Sequence, residues 1–286
     1  MSYSNKEYGM FAIRGALFAR VRLIGILVLV CSAFFTGCAR YSGGITVAGS
    51  TSVQPFAEML AEEYMALNPS ANVNVQGGGS SAGIEAAQSG AAQIGMSSRE
   101  LKGEEKKLVA IEIARDAIAV VVHPSNPIIN LSMEQVRGIF SGGITRWSEV
   151  GGPAQRIVVV TREEGSGTRG AFQELVMGMS VDIDPGALVQ DSNGAVRQLV
   201  SSDPSAVGYI SLGLINHQVI SVSLDGIQSS AENVHNGTYK VVRPFLFVLT
   251  HQPGEGEKAY IDYVLGPEGQ KSLAHEGLLS PLPVKQ

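Results

Sequence analysis

Three short runs of Gly, Ser and Thr each lie between an apolar strand-like run and an amphipathic helical pattern: Gly49-Ser50-Thr51-Ser52, Gly77-Gly78-Gly79-Ser80-Ser81 and Gly165-Ser166-Gly167-Thr168. The chemistry such runs can do is anion binding. A helix N-terminus leaves backbone N–H groups unpaired and carries a partial charge of roughly +0.5. Glycine lets the main chain approach a ligand closely, and the hydroxyls add further donors. One such turn is common; three point to a pocket that holds a compact oxyanion by dipoles.

Other chemistries fit less well. Gly77-x-Gly79-x-x-Ala82 matches the dinucleotide pattern, but it stands alone, and Glu100 is a poor ribose-binding acid at the required distance. Gly165-Ser166-Gly167 is not a nucleophile elbow, because no residue separates its first Gly from Ser. The five histidines form no i, i+4 metal pair, so no metal site and no cofactor is expected. A secreted phosphatase or esterase would need a base beside one of these serines, and no histidine lies in a comparable motif. Trp147 reads as a packing anchor. Arg99 and Arg169 flank the runs, and surface or inter-lobe ion pairs and ligand contact are equally open readings for them.

Positioning the runs requires alternating strands and helices. Strands are predicted at Ile45–Ala48, Val73–Gln76, Gln93–Met96, Ala117–Val122, Ile157–Thr161, Val207–Ile210, Val219–Ser223 and Phe245–Thr250. Helices are predicted over Ser52–Leu67, Ser81–Ser89, Lys102–Leu108, Met133–Phe140 and Thr168–Met177, with another beginning at Ala259–Leu265. Val53, Phe56, Leu60, Tyr64 and Leu67 recur at helical spacing as a buried face, and Phe172, Leu175, Val176 and Met179 do the same later. This alternation predicts an α/β protein with parallel sheets, its sites at strand C-termini beside helix N-termini.

The first 37 residues read as a targeting segment. Lys6, Arg14, Arg20 and Arg22 precede an apolar run from Leu23 to Phe35, which falls short of the ~20 residues needed to span a bilayer. Phe35-Thr36-Gly37-Cys38 resembles a bacterial lipobox, with Phe35 in place of the usual Leu. That resemblance implies cleavage before Cys38, a lipid on its sulfur, and a chain anchored in the cell envelope outside the cytoplasm. Of the 21 basic and 26 acidic residues, four and one precede Cys38, leaving 17 against 25, a net charge of −8. Such a field repels anions in bulk, so anion binding must come from local donors, and nucleic acid is not an expected partner. Residues 38–44 form a tether.

The stretches "AGSTSVQPFAEMLAEEY", "VNVQGGGSSAG", "QIGMSSREL", "IFSGGITRWSEVGG", "VVVTREEGSGTR" and "RPFLFVLT" together resemble the phosphate-binding receptors of bacterial phosphate ABC importers. The resemblance implies a type II periplasmic-binding-protein fold, with two lobes, a ligand cleft and two crossings near Val122–Pro124 and Val241–Arg243. Lobe 1 would hold 45–122 plus 243–286, and lobe 2 would hold 123–242. It implies a monomeric receptor, not an enzyme, that binds inorganic phosphate and delivers it to a membrane permease. Its site would comprise Thr51, Ser52, Ser80, Ser81, Ser98, Arg162, Ser166, Gly167 and Thr168, with Glu164 pairing with and orienting Arg162. A guanidinium presents two parallel donors to an oxyanion, which an ammonium cannot. Many members carry Asp, a proton acceptor for the ligand, where this chain has Ser98. Its hydroxyl oxygen or the more distant Asp116 would have to accept instead, and sulfate or molybdate remain alternative ligands.

Overall fold

The computed structural model describes residues 44–178 and 180–281. The targeting segment, Cys38 and Met179 lie outside the described residues. Alternating burial marks the first strand, β1 (Ile45–Gly49). A turn at Thr51–Val53 leads into helix α1 (Gln54–Leu67), where Pro55 occupies the first turn and costs no hydrogen bond. Phe56, Leu60 and Tyr64 are buried on this helix as predicted, whereas Leu67 is exposed at its end. Strand β2 (Val73–Gly77), helix α2 (Ser80–Ser89) and strand β3 (Ile94–Ser97) follow. The predicted helix at 102–108 is a single 3₁₀ turn, Gly103–Lys107.

The next strand is far longer than its apolar run suggests. β4 spans Val109–Val122, and only its second half is continuously buried. Then come β5 (Asn130–Leu131), α3 (Met133–Phe140), β6 (Val158–Arg162) and α4 (Gly167–Phe172). Ser132 and Gln135 cap α3 reciprocally, side chain to backbone in both directions. A π turn, Gln173–Met177, continues α4. Its extra residue per turn rotates the apolar face, so Val176 and Met177 are buried while Leu175 is left partly exposed. The chain continues through β7 (Leu188–Gln190), α5 (Asn193–Ser202), β8 (Ala206–Ser211), β9 (Ile220–Ser221), β10 (Ser223–Leu224) and α6 (Ala231–His235). It ends in β11 (Val242–Leu249), α7 (Glu255–Leu265) and α8 (Pro267–His275).

The main sheet has the order β2-β1-β3-β11-β4-β8-β6-β7, with β9 also on β4. It is mixed rather than parallel, which corrects the expectation from alternation. β1 pairs in parallel with β2 and β3, but β11 runs antiparallel to both β3 and β4, and β4 runs antiparallel to β8. The reason is that β11 returns from the far end of the chain instead of following a crossover helix.

β4 joins two cores. Its residues 109–117 pair with β11, and residues 118–122 pair with β8. Ile113 and Ala114 pack with Phe56, Leu60, Phe245 and Phe247 in one core. Ile118, Val120 and Val122 pack with Phe140, Trp147, Phe172 and Tyr209 in the other. Trp147 is fully buried and donates its indole N–H to Ser205 O at 3.0 Å, as its reading as an anchor requires. Among the described residues no helix is long and apolar enough to cross a membrane.

Candidate functional site

The three Gly/Ser/Thr turns follow β1, β2 and β6 and meet one another beside Ser98, just past the end of β3. Gly49 has φ +139°, and a Cβ there would overlap the backbone of Met96 and Gly83, so glycine is needed for α2 to lie against β1 and β3. The turn after β1 then brings Ser52 to Thr168 at the start of α4, with 2.8 Å between their hydroxyl oxygens. Ser80 Oγ, at the head of α2, accepts from the Ser98 N–H at 3.0 Å and lies 3.4 Å from Ser98 Oγ. Gly167 faces both: a Cβ in its place would run into Ser80 Oγ and lie 2.5 Å from Ser98 Oγ. Ser166 caps α4 by accepting from the Arg169 N–H at 3.2 Å. Ser52, Ser80, Ser98, Ser166 and Thr168 are all buried, and Thr51 is half-buried.

Arg162 ends β6 and is 1 % exposed. Its Nε and Nη2 donate to the two carboxylate oxygens of Glu163, both at 3.0 Å. The expected partner Glu164 is exposed and makes no ion pair among the described residues, which corrects that assignment. On a strand, neighbouring side chains point to opposite faces. Arg162 is the last residue of β6, so the chain turns at Glu163 and the adjacent carboxylate reaches back. Nη2 also donates to Asp191 O at 3.0 Å and Thr51 Oγ1 at 3.2 Å, and Nε to Gln190 O at 3.2 Å. Nη1 is buried and has no hydrogen-bond partner in the protein.

Packing fixes this arginine from behind. Tyr209 on β8 stacks on Phe172 of α4, with centroids 4.0 Å apart and planes 5° apart. Its hydroxyl lies 2.7 Å from Thr161 Oγ1 and accepts from the Arg162 N–H at 3.4 Å. Burial pushes the Tyr209 phenol up to about 12, so it stays protonated at neutral pH.

The flanking arginines are structural in their contacts. Arg99 donates to both carboxylate oxygens of Glu105, at 2.7 and 2.9 Å, and to Ser81 Oγ at 3.2 Å. Ser81, predicted as a ligand residue, is thus placed beside the cluster and engaged with Arg99. Arg169 donates to Arg162 O at 2.7 Å.

Arg243 and Asn193 lie beneath the hydroxyls and were not among the expected site residues, whereas Asp116, expected as a distant acceptor for the ligand, is instead engaged by Arg243 and Ser211. Arg243 on β11 is directly opposite Asp116 on β4, and both are at most 2 % exposed. Arg243 Nε and Nη2 both donate to Asp116 Oδ2, at 3.1 and 2.9 Å, while Ser211 Oγ donates to Asp116 Oδ1 at 2.9 Å. Burial raises the Asp116 pKa and the guanidinium opposes that rise by attraction and hydrogen bonding. Guanidine is much the stronger base, so the pair is carboxylate and guanidinium. Arg243 also reaches Ser52 Oγ (3.1 Å), Ser98 Oγ (3.2 Å) and Thr168 Oγ1 (2.8 Å). Asn193, at the start of α5, donates to Ser52 Oγ at 2.9 Å. The sequence signals were present, in the head of "RPFLFVLT" and in the Ser192 cap before Val196 and Val200, but apolar periodicity drew attention to strands and bypassed α5 altogether.

Comparisons with known proteins identify the family. The family model described as the PBP superfamily domain matches residues 36–268. The phosphate-binding protein PstS of Bacillus subtilis (strain 168) is 32% identical over 247 residues, covering 83% of this chain and 80% of that protein. A putative phosphate ABC transporter substrate-binding protein from Clostridium perfringens, solved with bound phosphate, is 42% identical with TM-score 0.81, over 84% of this chain and 100% of that one. An ABC-type phosphate transport receptor from Vibrio cholerae is 38% identical with TM-score 0.69, over 83% of this chain and 100% of that one. The chain therefore belongs to the PBP superfamily, with its mixed α/β fold and curled sheet, and within it to the family of phosphate-binding proteins PstS.

Proposed function

We propose that this chain is an extracytoplasmic receptor that binds inorganic phosphate and delivers it to the membrane permease of an ABC importer. It is a binding protein and not an enzyme, as its PstS relatives are. The observation that carries the reading is the buried Arg162 Nη1, which has two N–H donors and no acceptor in the protein. A buried donor left unpaired costs about 1–3 kcal/mol, and more on a charged group, so this end of the guanidinium is built for an acceptor from outside. The neighbouring hydroxyls of Thr51, Ser80, Ser98, Ser166 and Thr168 and the backbone at Gly167 supply further donors, while the Ser52 hydroxyl holds Thr168 in place. Among the described residues, no hydrogen bond of these hydroxyls goes to a histidine, which weighs against the hydrolase alternative.

In this reading the donors close on the anion from two lobes. Thr51, Ser52, Ser80 and Ser98 belong to the first; Arg162, Ser166, Gly167 and Thr168 belong to the second. The division runs through β4 at Ala117/Ile118 and returns at the start of β11. Glu163 takes the orienting role first given to Glu164. Isothermal titration with phosphate tests the function directly: saturable binding is expected, and its absence at millimolar phosphate would refute the reading. The receptor is further read as a monomer held to the membrane by a lipid on Cys38. Acyl mass on the N-terminal peptide beginning at Cys38 is the expected result, and a mature chain starting elsewhere would refute the anchor.

A further inference from the structure

The hydroxyl cluster is not symmetric in its hydrogen bonding. A Ser or Thr oxygen has one hydrogen to give and two lone pairs to accept with. Ser52 Oγ accepts from Asn193 Nδ2 and from Arg243 Nη2, so both lone pairs are used and its hydrogen must go to Thr168 Oγ1. The Asn193 amide is oriented by its own oxygen, which accepts from the Ser211 N–H at 3.2 Å. Thr168 Oγ1 then accepts from Ser52 and from Arg243 Nη1, which leaves only its hydrogen free. Ser98 Oγ accepts from Ser50 Oγ at 2.8 Å and shares one Arg243 Nη1 hydrogen with the Ser98 carbonyl, each at 3.2 Å, which leaves its own hydrogen for Ser80 Oγ at 3.4 Å or for a ligand. The lone pairs that Ser98 would need to accept a ligand proton are therefore occupied.

We propose that Arg243, fixed by Asp116, is a positioning and specificity-determining residue: by filling the lone pairs of Ser52, Ser98 and Thr168 it makes this side of the site donate only. Such a surface favours the fully ionised face of a tetrahedral oxyanion and has no acceptor for a ligand's proton. Two acceptors, or two donors, facing each other lose a hydrogen bond and leave a buried group unpaired. The inference rests on the phosphate-binding reading of the same site. The charged and titratable groups facing Arg243 are Asp116 on β4, Arg162 on β6 and Tyr209 on β8, and Arg162 in turn carries Glu163. Tyr209 stays protonated and the Asp116–Arg243 pair stays ionised, so the proton that changes near neutral pH is the ligand's own.

The test is titration of phosphate across pH, with sulfate as competitor, on the wild type, Arg243→Lys and the double variant Asp116→Asn/Arg243→Gln. The double variant removes both charges, so neither is left buried alone, and a melting curve confirms that each protein is folded. In the wild type, phosphate affinity should rise with pH as the monoanion gives way to the dianion, and sulfate should displace phosphate. In the double variant, Ser98 and Thr168 regain free lone pairs. Its affinity for the dianion and for sulfate should fall about tenfold or more, the equivalent of one hydrogen bond, while monoanion binding is largely kept. Arg243→Lys should fall between the two. A purely structural role would weaken both anions by one factor at every pH, and that result would overturn the proposal. So would a wild type that ignores sulfate or binds phosphate best at low pH. Absence of phosphate binding at every pH would instead remove the underlying functional reading.

Discussion

Arg162→Lys separates charge from geometry at the centre of the site. A guanidinium has five N–H donors. Here Nε and Nη2 are committed to Glu163, Gln190 O, Asp191 O and Thr51, and the two donors of Nη1 remain. If both meet the anion, they form two charge-assisted hydrogen bonds from one nitrogen. Lysine keeps the positive charge but has three donors, of which Glu163 and the Asp191 carbonyl would take two. One bond to the anion is then lost, worth about 1.5–3 kcal/mol for a hydrogen bond to a charged group. At about 1.4 kcal/mol per tenfold, the expected loss of phosphate affinity is roughly tenfold to 150-fold. Arg162→Ala, which also removes the charge, should lose roughly thirtyfold or more, by the ~2–5 kcal/mol typical of a truncated buried charge pair. Isothermal titration measures both, with thermal melting as the control for folding. Arg162→Lys binding within about twofold of wild type would show that Nη1 does not touch the anion.

Gly167→Ala should weaken phosphate binding about tenfold or more, because its Cβ meets Ser80 Oγ and Ser98 Oγ across the site and overpacking costs ~1–3 kcal/mol. Its φ is not in the left-handed region, so no backbone strain is added, but the same clash is present without ligand and the melting temperature should fall as well. Glu105→Gln should lower stability at neutral pH by up to about 1 kcal/mol, the scale of a partly exposed ion pair. The hydrogen bonds from Arg99 hold the Glu105 carboxyl below its ordinary value of 4.5, so its contribution is complete above that pH and is lost as pH falls through the lowered pKa. Denaturant titrations at several pH values should therefore show the gap between the variant and wild type closing in acid.

Where a residue's neighbours in sequence are also its neighbours in space, the chain could be read directly. The helix expected near Met133–Phe140 forms there, and its start is set locally by the capping box of Ser132 and Gln135. The three Gly/Ser/Thr turns stood out through composition alone, and the structure brings them together. Long-range pairing was less legible. Residues 109–116 of β4 carry Glu112, Arg115 and Asp116 among apolar residues, so only its uniformly apolar end, Ala117–Val122, read as a strand. Glu163 and Glu164 are indistinguishable as letters, and only the bend after β6 decides which one reaches Arg162. Arg243 was visible in a motif, but its role depends on Asp116, 127 residues earlier, lying opposite it in register.

That register also constrains how the chain is made. β11 lies between β3 and β4, and it is synthesised more than a hundred residues after either of them. As the chain emerges, β1, β2 and β3 can associate, but the sheet they begin has an open edge until residues 242–249 arrive. The second core can assemble earlier, since β6, β7 and β8 are all in place by residue 211. An unfilled slot between β3 and β4 is a hydrogen-bonding edge that invites the wrong strand, and closing it from so far away in sequence is slow. The C-terminal strand thus acts as a late keystone. It completes the older half of the molecule and, in the same step, delivers Arg243 to the hydroxyls, so the proposed site is assembled only when that gap is closed.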